Sequence, residues 1–529
     1  LVLPEGEYLG DTGVMTLQGE PYLNYLAFMT PSERLIFTYP LSEDGESQNQ
    51  ISPYVAQIKQ HFNLTVQTHA ATPKADDKTI QPYLGAKRAT LRHLVQAAND
   101  SRENQRSLSL NWQYVYHVLD TDTAEHDLTE KLMGSIAYRN QPVQLTPDIV
   151  DGLYSTTINS SISKLEEFYQ NQYAYFLKYG LRLQERDAFE LSPANTGEFF
   201  HASLDMLMKR VNAEHIDLTA LDERQLTQLV DEITTAVLDD PLNLQYAILN
   251  SSHRMQYIKR QLIALVQQTA RAFHEQGKFT PMRAKQTEVM FGHIGAENGL
   301  PALKFDLPNE KKVQVRGKID RIDTMKVENS NQYVGVVDYK SSAHKVDLND
   351  IYHGIAMQMM TYLDVVQRNM ALLTDDPDAE LAGALYLHLK NPTLTPNDLK
   401  TDIMSAMLSK EQYKGLLVND DDLLRNLEPE RDTNPASVYP YAYTKSGSLK
   451  KNVGTIVTAD ELKDLLSFTE LKITDAANAI FAGQLDLNPV KYPNGRTAMQ
   501  YSPYKAIMQF DPMLPENDFR MLTADRDKQ

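Results

Sequence analysis

Two neighbouring stretches decide the fold: VQVRGKIDRID at 313–323 and YVGVVDYKSS at 333–342. Apolar and polar residues alternate in both, which is typical of β-strands because successive side chains point to opposite faces. The segment between them, ENSNQ at 328–332, is rich in turn-forming residues. The sequence therefore predicts an antiparallel hairpin that turns near Asn329.

Three charged side chains fall where the two strands of this hairpin face each other. Asp320 is expected opposite the segment that carries Asp338 and Lys340, and those two share one strand face about 7 Å apart. Carboxylate oxygens suit Mg²⁺, or Mn²⁺ in its place, and a lysine beside the ion can orient the attacking water. The pattern predicts metal-dependent phosphodiester hydrolysis, although a solvated sheet face shows the same alternation of charge.

The composition is that of an ordinary globular protein with an acidic surface. The 529 residues are 42% hydrophobic and 23% charged, with a net charge of −18. This charge argues against wrapping DNA over the general surface, because neutralising phosphates needs Lys and Arg. No apolar run approaches the roughly 20 residues of a membrane-spanning helix. We expect a cytoplasmic protein without a membrane partner.

Cysteine is absent from the sequence. Disulfides and thiolate metal sites are therefore excluded within these residues, which fits an intracellular protein. The first residues, LVLPEGEYLG, include neither an initiator methionine nor a signal-peptide pattern. We expect the chain to be a piece of a longer protein.

Two segments are basic against this background, at 311–321 and 439–451. In the second, YPYAYTKSGSLKK, tyrosines are interleaved with lysines: Tyr439, Tyr441, Tyr443, Lys445, Lys450 and Lys451. Aromatic rings combined with cations suit stacking on single-stranded bases. A flexible surface loop would explain the same residues.

The chain is predicted to divide at about 140–160, where TPDIVDGLY gives way to the Ser-rich stretch STTINSSISKLEEF, into domains 1–150 and 151–529. In the first domain a short strand is expected from Leu35 to Tyr39. In the second, a helix is expected to begin at Ser161 or Ser163, with Glu166 in the capping-box position relative to Ser163.

The rest of the second domain reads as helices, then strands, then helices again. Helices are predicted over 163–276, and a strand at 287–292 leads to the hairpin. After the hairpin, a helix at 346–367, capped by Asp347 or Asn349, is followed by a buried strand at 382–389. Within that helix Gln358 and Tyr362 are four residues apart, hence on one face. This order predicts an α/β fold, a mixed sheet flanked by helices.

Four sequence elements occur in an order similar to that of the RecB-type PD-(D/E)XK nuclease domain, a restriction-endonuclease-like fold. They are His201, GKID with Asp320, DYK with Asp338 and Lys340, and Gln358 followed by Tyr362. The sequence most resembles the AddB/RexB subunit of bacterial ATP-dependent helicase–nucleases, over about 160–520. The resemblance implies a catalytic core at about 197–390.

The resemblance also implies roles for individual residues. Asp320, Asp338 and Lys340 would be catalytic, and Gln358 and Tyr362 would contact DNA. The metal ligands would be His201, Asp320, Asp338 and the backbone carbonyl of Tyr339. Glu288 matches only a strand position of the family, and Asp323 is expected to pair with an arginine.

The sequence departs from AddB proteins at the cysteines that hold their iron–sulfur cluster. The corresponding positions are Asn171, Met499, Ser502 and Met508. None of these is a thiolate, so no cluster is expected. We expect packing, with Met499 and Met508 against Tyr173 and Phe176, to hold the C-terminal segment on 163–180 instead.

By this resemblance the chain is the nuclease part of a B subunit that cuts single strands, the 5′-ended one, in double-strand-break repair by homologous recombination. Its partners would be DNA and an AddA/RexA-type helicase–nuclease subunit in a heterodimer. TPSERLIFTYP at 30–40 resembles the end of a helicase-like region. The 529 residues contain no G-x-x-x-x-G-K-[ST], so ATP would bind only to a missing region or to the partner. Alternatives are a DNA-binding or scaffolding module with a vestigial site and, less supported, a Mg²⁺-dependent phosphatase.

Overall fold

A computed structural model describes most of the chain in two compact units, Leu1–Tyr138 and Arg139–Gln529. The described residues are 13–41, 49–68, 70, 72–138, 140–186, 190–293, 299–328, 330–342, 344–389, 393–395, 403–429, 438–450, 453–514 and 517–522. The sequence placed the boundary at 150. Residues just before 150 lie with the second unit because Asn140 donates a hydrogen bond to the Met508 carbonyl and the Leu145 N–H donates to the Gly483 carbonyl.

The described part of the first unit is helical. Its α-helices are α1 Gly13–Met29, α2 Pro53–His61, α3 Lys87–Glu103, α4 Leu110–Thr121 and α5 His126–Ile136. Trp112 on α4 is fully buried, and its indole N–H donates to the Lys74 carbonyl at 3.1 Å. The short strand predicted from Leu35 to Tyr39 is wrong, since these residues adopt no regular structure.

The second unit is built around a six-stranded mixed sheet, which confirms the predicted fold class. The strands follow the spatial order β2-β5-β6-β7-β8-β9, and β6–β7 and β8–β9 are the parallel pairs. Their bounds are β2 Arg283–Phe291, β5 Gly317–Lys326, β6 Gln332–Lys340, β7 Glu380–His388, β8 Lys414–Val418 and β9 Thr455–Val457. β6 and β7 are buried along nearly their whole length, as expected of central strands covered on both faces.

The predicted hairpin is present as β5 and β6. The strands are antiparallel and Arg321 pairs with Val337, so Asp320 lies opposite Asp338. Asn329, the expected turn centre, lies outside the described residues. One detail of the prediction is wrong: the run 313–323 is not one strand, because it breaks at Arg316.

The residues before that break belong to a second, smaller sheet. It has the order β1-β4-β3, with β1 Thr157–Ser160, β3 Leu303–Asp306 and β4 Lys312–Val315. Two further short strands pair near the C-terminus, β10 Val490–Lys491 and β11 Arg520–Met521. The chain thus enters the main sheet only at Gly317, immediately before the site residues.

Helices make up most of the rest of the described second unit. They are α6 Pro147–Tyr154, α7 Ile162–Gln170, α8 Gln172–Tyr175, α9 Pro193–Ala213, α10 Glu223–Asp239, α11 His253–Gln276, α12 Leu348–Tyr352, α13 Gln358–Arg368, α14 Met370–Leu373, α15 Ile403–Lys410, α16 Asp421–Leu427, α17 Ala459–Phe481 and α18 Lys505–Met508. α9 packs on β2, and α13 packs on β6 and β7. None of the helices in the described ranges has the length and apolar character needed to cross a bilayer.

Two helix predictions need correction. The helix expected at 346–367 is interrupted: α12 is capped by Asp347, which accepts from the Asn349 N–H, and α13 starts anew at Gln358. Ser161 is the N-cap of α7, as expected, but no capping box forms there. The Glu166 side chain reaches a different helix instead.

Candidate metal centre

Three side chains from three elements meet at one edge of the sheet. His201 comes from α9, Glu288 from β2 and Asp320 from β5, and one ligand-type atom of each lies within 4.8 Å of the other two. His201 Nδ1 is 3.2 Å from Asp320 Oδ1 and 3.8 Å from Glu288 Oε1. The structure thus joins His201 to the hairpin, as the order of motifs implied.

Glu288 is held in an unusual backbone conformation. Its neighbours pair regularly across β2 and β5, yet its φ is +51°. A non-glycine residue in this left-handed region costs about 1–2 kcal/mol. The strain places the carboxylate beside His201 and in an ion pair with Lys318. The family resemblance assigned Glu288 only a strand position, and neither the strain nor its partners can be read from the short apolar run around it.

The second half of the site is the end of β6. The Tyr339 N–H donates to Asp320 Oδ2 at 2.9 Å, which locks the first aspartate onto the second strand. Asp338 is 2% exposed, and its Oδ2 has no hydrogen-bond partner among the described residues. Lys340 Nζ lies 2.7 Å from that oxygen, close enough for an ion pair but outside hydrogen-bond geometry.

The pKa values reflect this crowding. Burial raises the pKa of Asp338 to about 6, reinforced by the charge of Asp320 and opposed by Lys340. Burial lowers the pKa of His201, but the hydrogen bonds and charges of Asp320 and Glu288 outweigh it and raise that pKa to about 9. The proton on His201 therefore partly neutralises the same carboxylates that a bound cation would neutralise.

These donors fit a hard divalent cation. Two aspartates at opposite positions of a hairpin repel each other when both are ionised, and one buried carboxylate oxygen of Asp338 is left without a hydrogen bond to any described residue. Carboxylate oxygens with one imidazole are ligands that Mg²⁺ and Mn²⁺ accept. The residues present are compatible with the implied metal.

Gln358 joins α13 to this centre. Its Oε1 accepts from Lys340 Nζ at 2.9 Å, and its Nε2 donates to the Tyr362 hydroxyl at 2.9 Å. Glu166 of α7 accepts at the start of the same helix, from the N–H groups of Met357 and Gln358. Sequence spacing had linked Gln358 only to Tyr362.

Other predicted features lie outside the centre. Asp323 forms the expected pair with an arginine, Arg321, through two contacts of 2.7 Å.

The prediction of a stacking surface at 439–451 is wrong for Tyr439 and Tyr441, which are 3% and 0% exposed. Glu428 and the apolar core around them hold this segment inward.

Three of the four positions that correspond to iron–sulfur cysteines, Asn171, Met499 and Met508, lie in one region of the fold. The fourth, Ser502, is half-buried, and its N–H donates to the Met499 carbonyl. Met499 and Met508 belong to a buried cluster against which Tyr173 and Phe176 pack. The Asn171 side-chain amide lies 3.4 Å from Met508 Sδ. Apolar contacts, this polar contact and a hydrogen bond from the Asp486 N–H to the Gln172 side chain attach C-terminal residues to the region of α8.

The mixed sheet, with two carboxylates and a lysine on adjacent antiparallel strands, places the chain in a class of nucleases. It belongs to the PD-(D/E)XK nuclease superfamily, whose family model matches residues 159–496. The chain is 52% identical to the B subunit of the ATP-dependent helicase/deoxyribonuclease of Levilactobacillus brevis, over 98% of this chain and 44% of that protein.

Similar proteins of the same name occur in other bacteria. The chain is 45% identical to that of Lactiplantibacillus plantarum, over 97% of this chain and 44% of that protein, and 36% identical to that of Enterococcus faecalis, over 98% and 43%. These relatives confirm the resemblance to RexB/AddB-type B subunits. The chain spans less than half the length of these relatives.

Proposed function

We propose that this chain is the nuclease part of a helicase–nuclease B subunit and that it hydrolyses phosphodiester bonds with Mg²⁺. The observation that carries the proposal is the meeting of His201, Asp320, Asp338 and Lys340, which come from one helix and two strands. A solvated sheet face, the simpler alternative, does not bury its aspartates; Asp320 and Asp338 are 5% and 2% exposed.

The proposed ligands are His201, Asp320, Asp338 and the Tyr339 carbonyl, with Glu288 added for its distance from His201. A bound divalent ion would supply Lewis-acid stabilisation of the charged phosphate in the transition state. The carboxylates would fix the position of the ion, because Asp320 is itself held by a hydrogen bond from the Tyr339 N–H. As a ligand, His201 would have to be neutral and would therefore lose its proton.

Lys340 is the proposed catalytic residue that acts on the attacking water. Its ammonium lies 2.7 Å from Asp338 Oδ2 and is held by Gln358. From there it can orient the water and offset negative charge as the new P–O bond forms. We assign contact with the DNA strand to Gln358 and Tyr362, which are linked to Lys340 by hydrogen bonds.

The substrate and partners proposed here rest on the relatives' printed name. The B subunit of a deoxyribonuclease calls for DNA and for a companion chain, which we take to be an AddA/RexA-type helicase–nuclease in a cytoplasmic heterodimer. We propose that it cuts the 5′-ended single strand during double-strand-break repair. Residues 1–150 would be the end of a helicase-like region, and ATP would bind elsewhere in the complex because these 529 residues contain no P-loop motif.

The test compares Mg²⁺-dependent cleavage of end-labelled single-stranded DNA by the chain and by Asp338→Ala and Lys340→Ala. Both variants are expected to lose cleavage while circular dichroism stays native-like. Undiminished cleavage by both would refute the site. A folded chain that neither cleaves DNA nor binds Mn²⁺ would favour the alternative of a scaffolding module with a vestigial site.

A further inference from the structure

Glu166 makes a long-range contact that neither the family resemblance nor the proposed chemistry uses. Its Oε1 accepts hydrogen bonds from the backbone N–H groups of Met357, at 2.5 Å, and Gln358, at 2.9 Å, 191 and 192 residues along the chain. We propose that Glu166 is a positioning residue that sets the catalytic lysine, Lys340, through Gln358. This inference rests on the proposed nuclease function.

The start of α13 needs a partner from elsewhere in the fold. The first N–H groups of an α-helix have no acceptor within the helix. The residue at the N-cap position is Met357, whose side chain makes no capping hydrogen bond. Glu166 supplies the missing acceptor from α7, with its carboxyl group at the positive end of the helix dipole. Burial raises the pKa of this carboxyl to about 7, although the two backbone N–H groups oppose the shift.

This cap bears directly on the site because Gln358 is the first residue of α13. One end of its side chain holds Lys340 and the other holds Tyr362, each at 2.9 Å. The backbone of Gln358 is fixed by Glu166, and its side chain is fixed by Tyr362 one turn later. Glu166 therefore holds the end of α13 from which Gln358 reaches Lys340.

Glu166 and its neighbour Glu167 form a matched pair for the test. Both lie on α7, but Glu167 pairs with Lys178 at 2.9 Å and accepts from the Tyr179 hydroxyl at 2.7 Å, and neither of these contacts involves α13. Glu167→Ala measures the general effect of removing a carboxylate from α7. Only Glu166→Ala also removes the cap on α13.

The experiment measures kcat and KM for single-stranded DNA cleavage by the 529-residue chain and its variants. Glu166→Ala is expected to lower kcat by about 10- to 100-fold, the effect of losing a charge-assisted hydrogen-bond pair, with little change in KM. Glu166→Gln keeps an acceptor and is expected to recover most of the rate. Glu167→Ala is expected to match the wild type.

A double variant separates positioning from a general loss of packing. If Glu166 acts through Gln358, Glu166→Ala adds little to the defect of Gln358→Ala, because residues acting in one unit are not additive. Fully multiplicative defects would overturn the inference. So would equal loss of rate in Glu166→Ala and Glu167→Ala.

Amide hydrogen exchange gives a readout that does not depend on activity. Exchange at the start of α13 is expected to become at least about tenfold faster in Glu166→Ala and to stay unchanged in Glu167→Ala. Unchanged exchange in Glu166→Ala would overturn the inference even in an inactive chain. If the wild type shows no Mg²⁺-dependent cleavage but the exchange rates follow the expected pattern, the proposed function is contradicted. Glu166 is then only a structural cap of α13, and its role in positioning Lys340 for catalysis is overturned as well.

Discussion

Lowering the pH is expected to weaken Mn²⁺ binding to this chain, because the ion and a proton compete for His201. In the absence of metal, Asp320 and Glu288 raise the pKa of His201 to about 9 against the opposing effect of burial. The imidazole is therefore protonated at neutral pH. A histidine must be neutral to act as a ligand, so each bound ion displaces one proton from it.

The size of the effect follows from this pKa. Between about pH 6.5 and 8.5 one proton is released for each ion bound, so affinity rises about tenfold per pH unit, or about 1.4 kcal/mol. Over that range the expected gain is about 100-fold. Asp338, with a pKa of about 6, is mostly ionised there and adds to the dependence only at lower pH.

Isothermal titration calorimetry of Mn²⁺ binding measures both quantities. Titrations in buffers of different ionisation enthalpy count the protons released, and a pH series gives the slope of affinity. His201→Asn is the matched control, since an amide oxygen can be a ligand without titrating; its affinity is expected to be lower and nearly flat with pH. If the wild type binds Mn²⁺ with no pH dependence, His201 is not a ligand.

The stability of the metal-free fold depends on pH in the direction opposite to that of metal affinity. Because the folded pKa of His201 is raised above its ordinary value of 6.5, its ion pairs with Asp320 and Glu288 stabilise the fold fully below pH 6.5. That contribution is lost as the pH rises through about 9. Raising the pH therefore weakens the metal-free fold and strengthens metal binding.

Two further predictions concern the supports of the site. Arg321→Ala leaves Asp323 buried without its partner and is expected to cost about 3–5 kcal/mol of unfolding free energy in urea titrations; a loss below about 1 kcal/mol would contradict the role assigned to this pair. Met508→Ala opens a cavity in the cluster that attaches the C-terminal segment and is expected to cost about 2–5 kcal/mol, with faster proteolysis after residue 495. Met513→Ala, at a side chain 87% exposed, is its control and should change neither measurement.

Local sequence rules predicted the centre of the fold well. Alternation and a polar turn were enough for the β5–β6 hairpin, because a strand period of two and a turn centre together fix the register. Once the register is fixed, Asp320 and Asp338 must face each other. Asp347 as a helix cap followed from the same kind of local chemistry.

The failures come from tertiary contacts that a local pattern does not contain. Glu166 has the spacing of a capping box, but its carboxylate is used by a helix 191 residues away. Tyr439 and Tyr441 alternate with small and polar residues like a surface loop, yet Tyr441 donates its hydroxyl to the Leu424 carbonyl inside the core. Glu288 lies beside His201 in a strained backbone conformation, and a single sequence contains no signal that predicts such strain.

The central claim is that Asp320 and Asp338 hold the metal while Lys340 acts on the water. The most direct measurement combines Mn²⁺ affinity and Mg²⁺-dependent cleavage for one variant, Lys340→Ala. We expect its Mn²⁺ affinity to be at least as high as that of the wild type, since a competing cation is removed, together with loss of cleavage. Wild-type cleavage by this variant, or loss of metal binding, would contradict the claim.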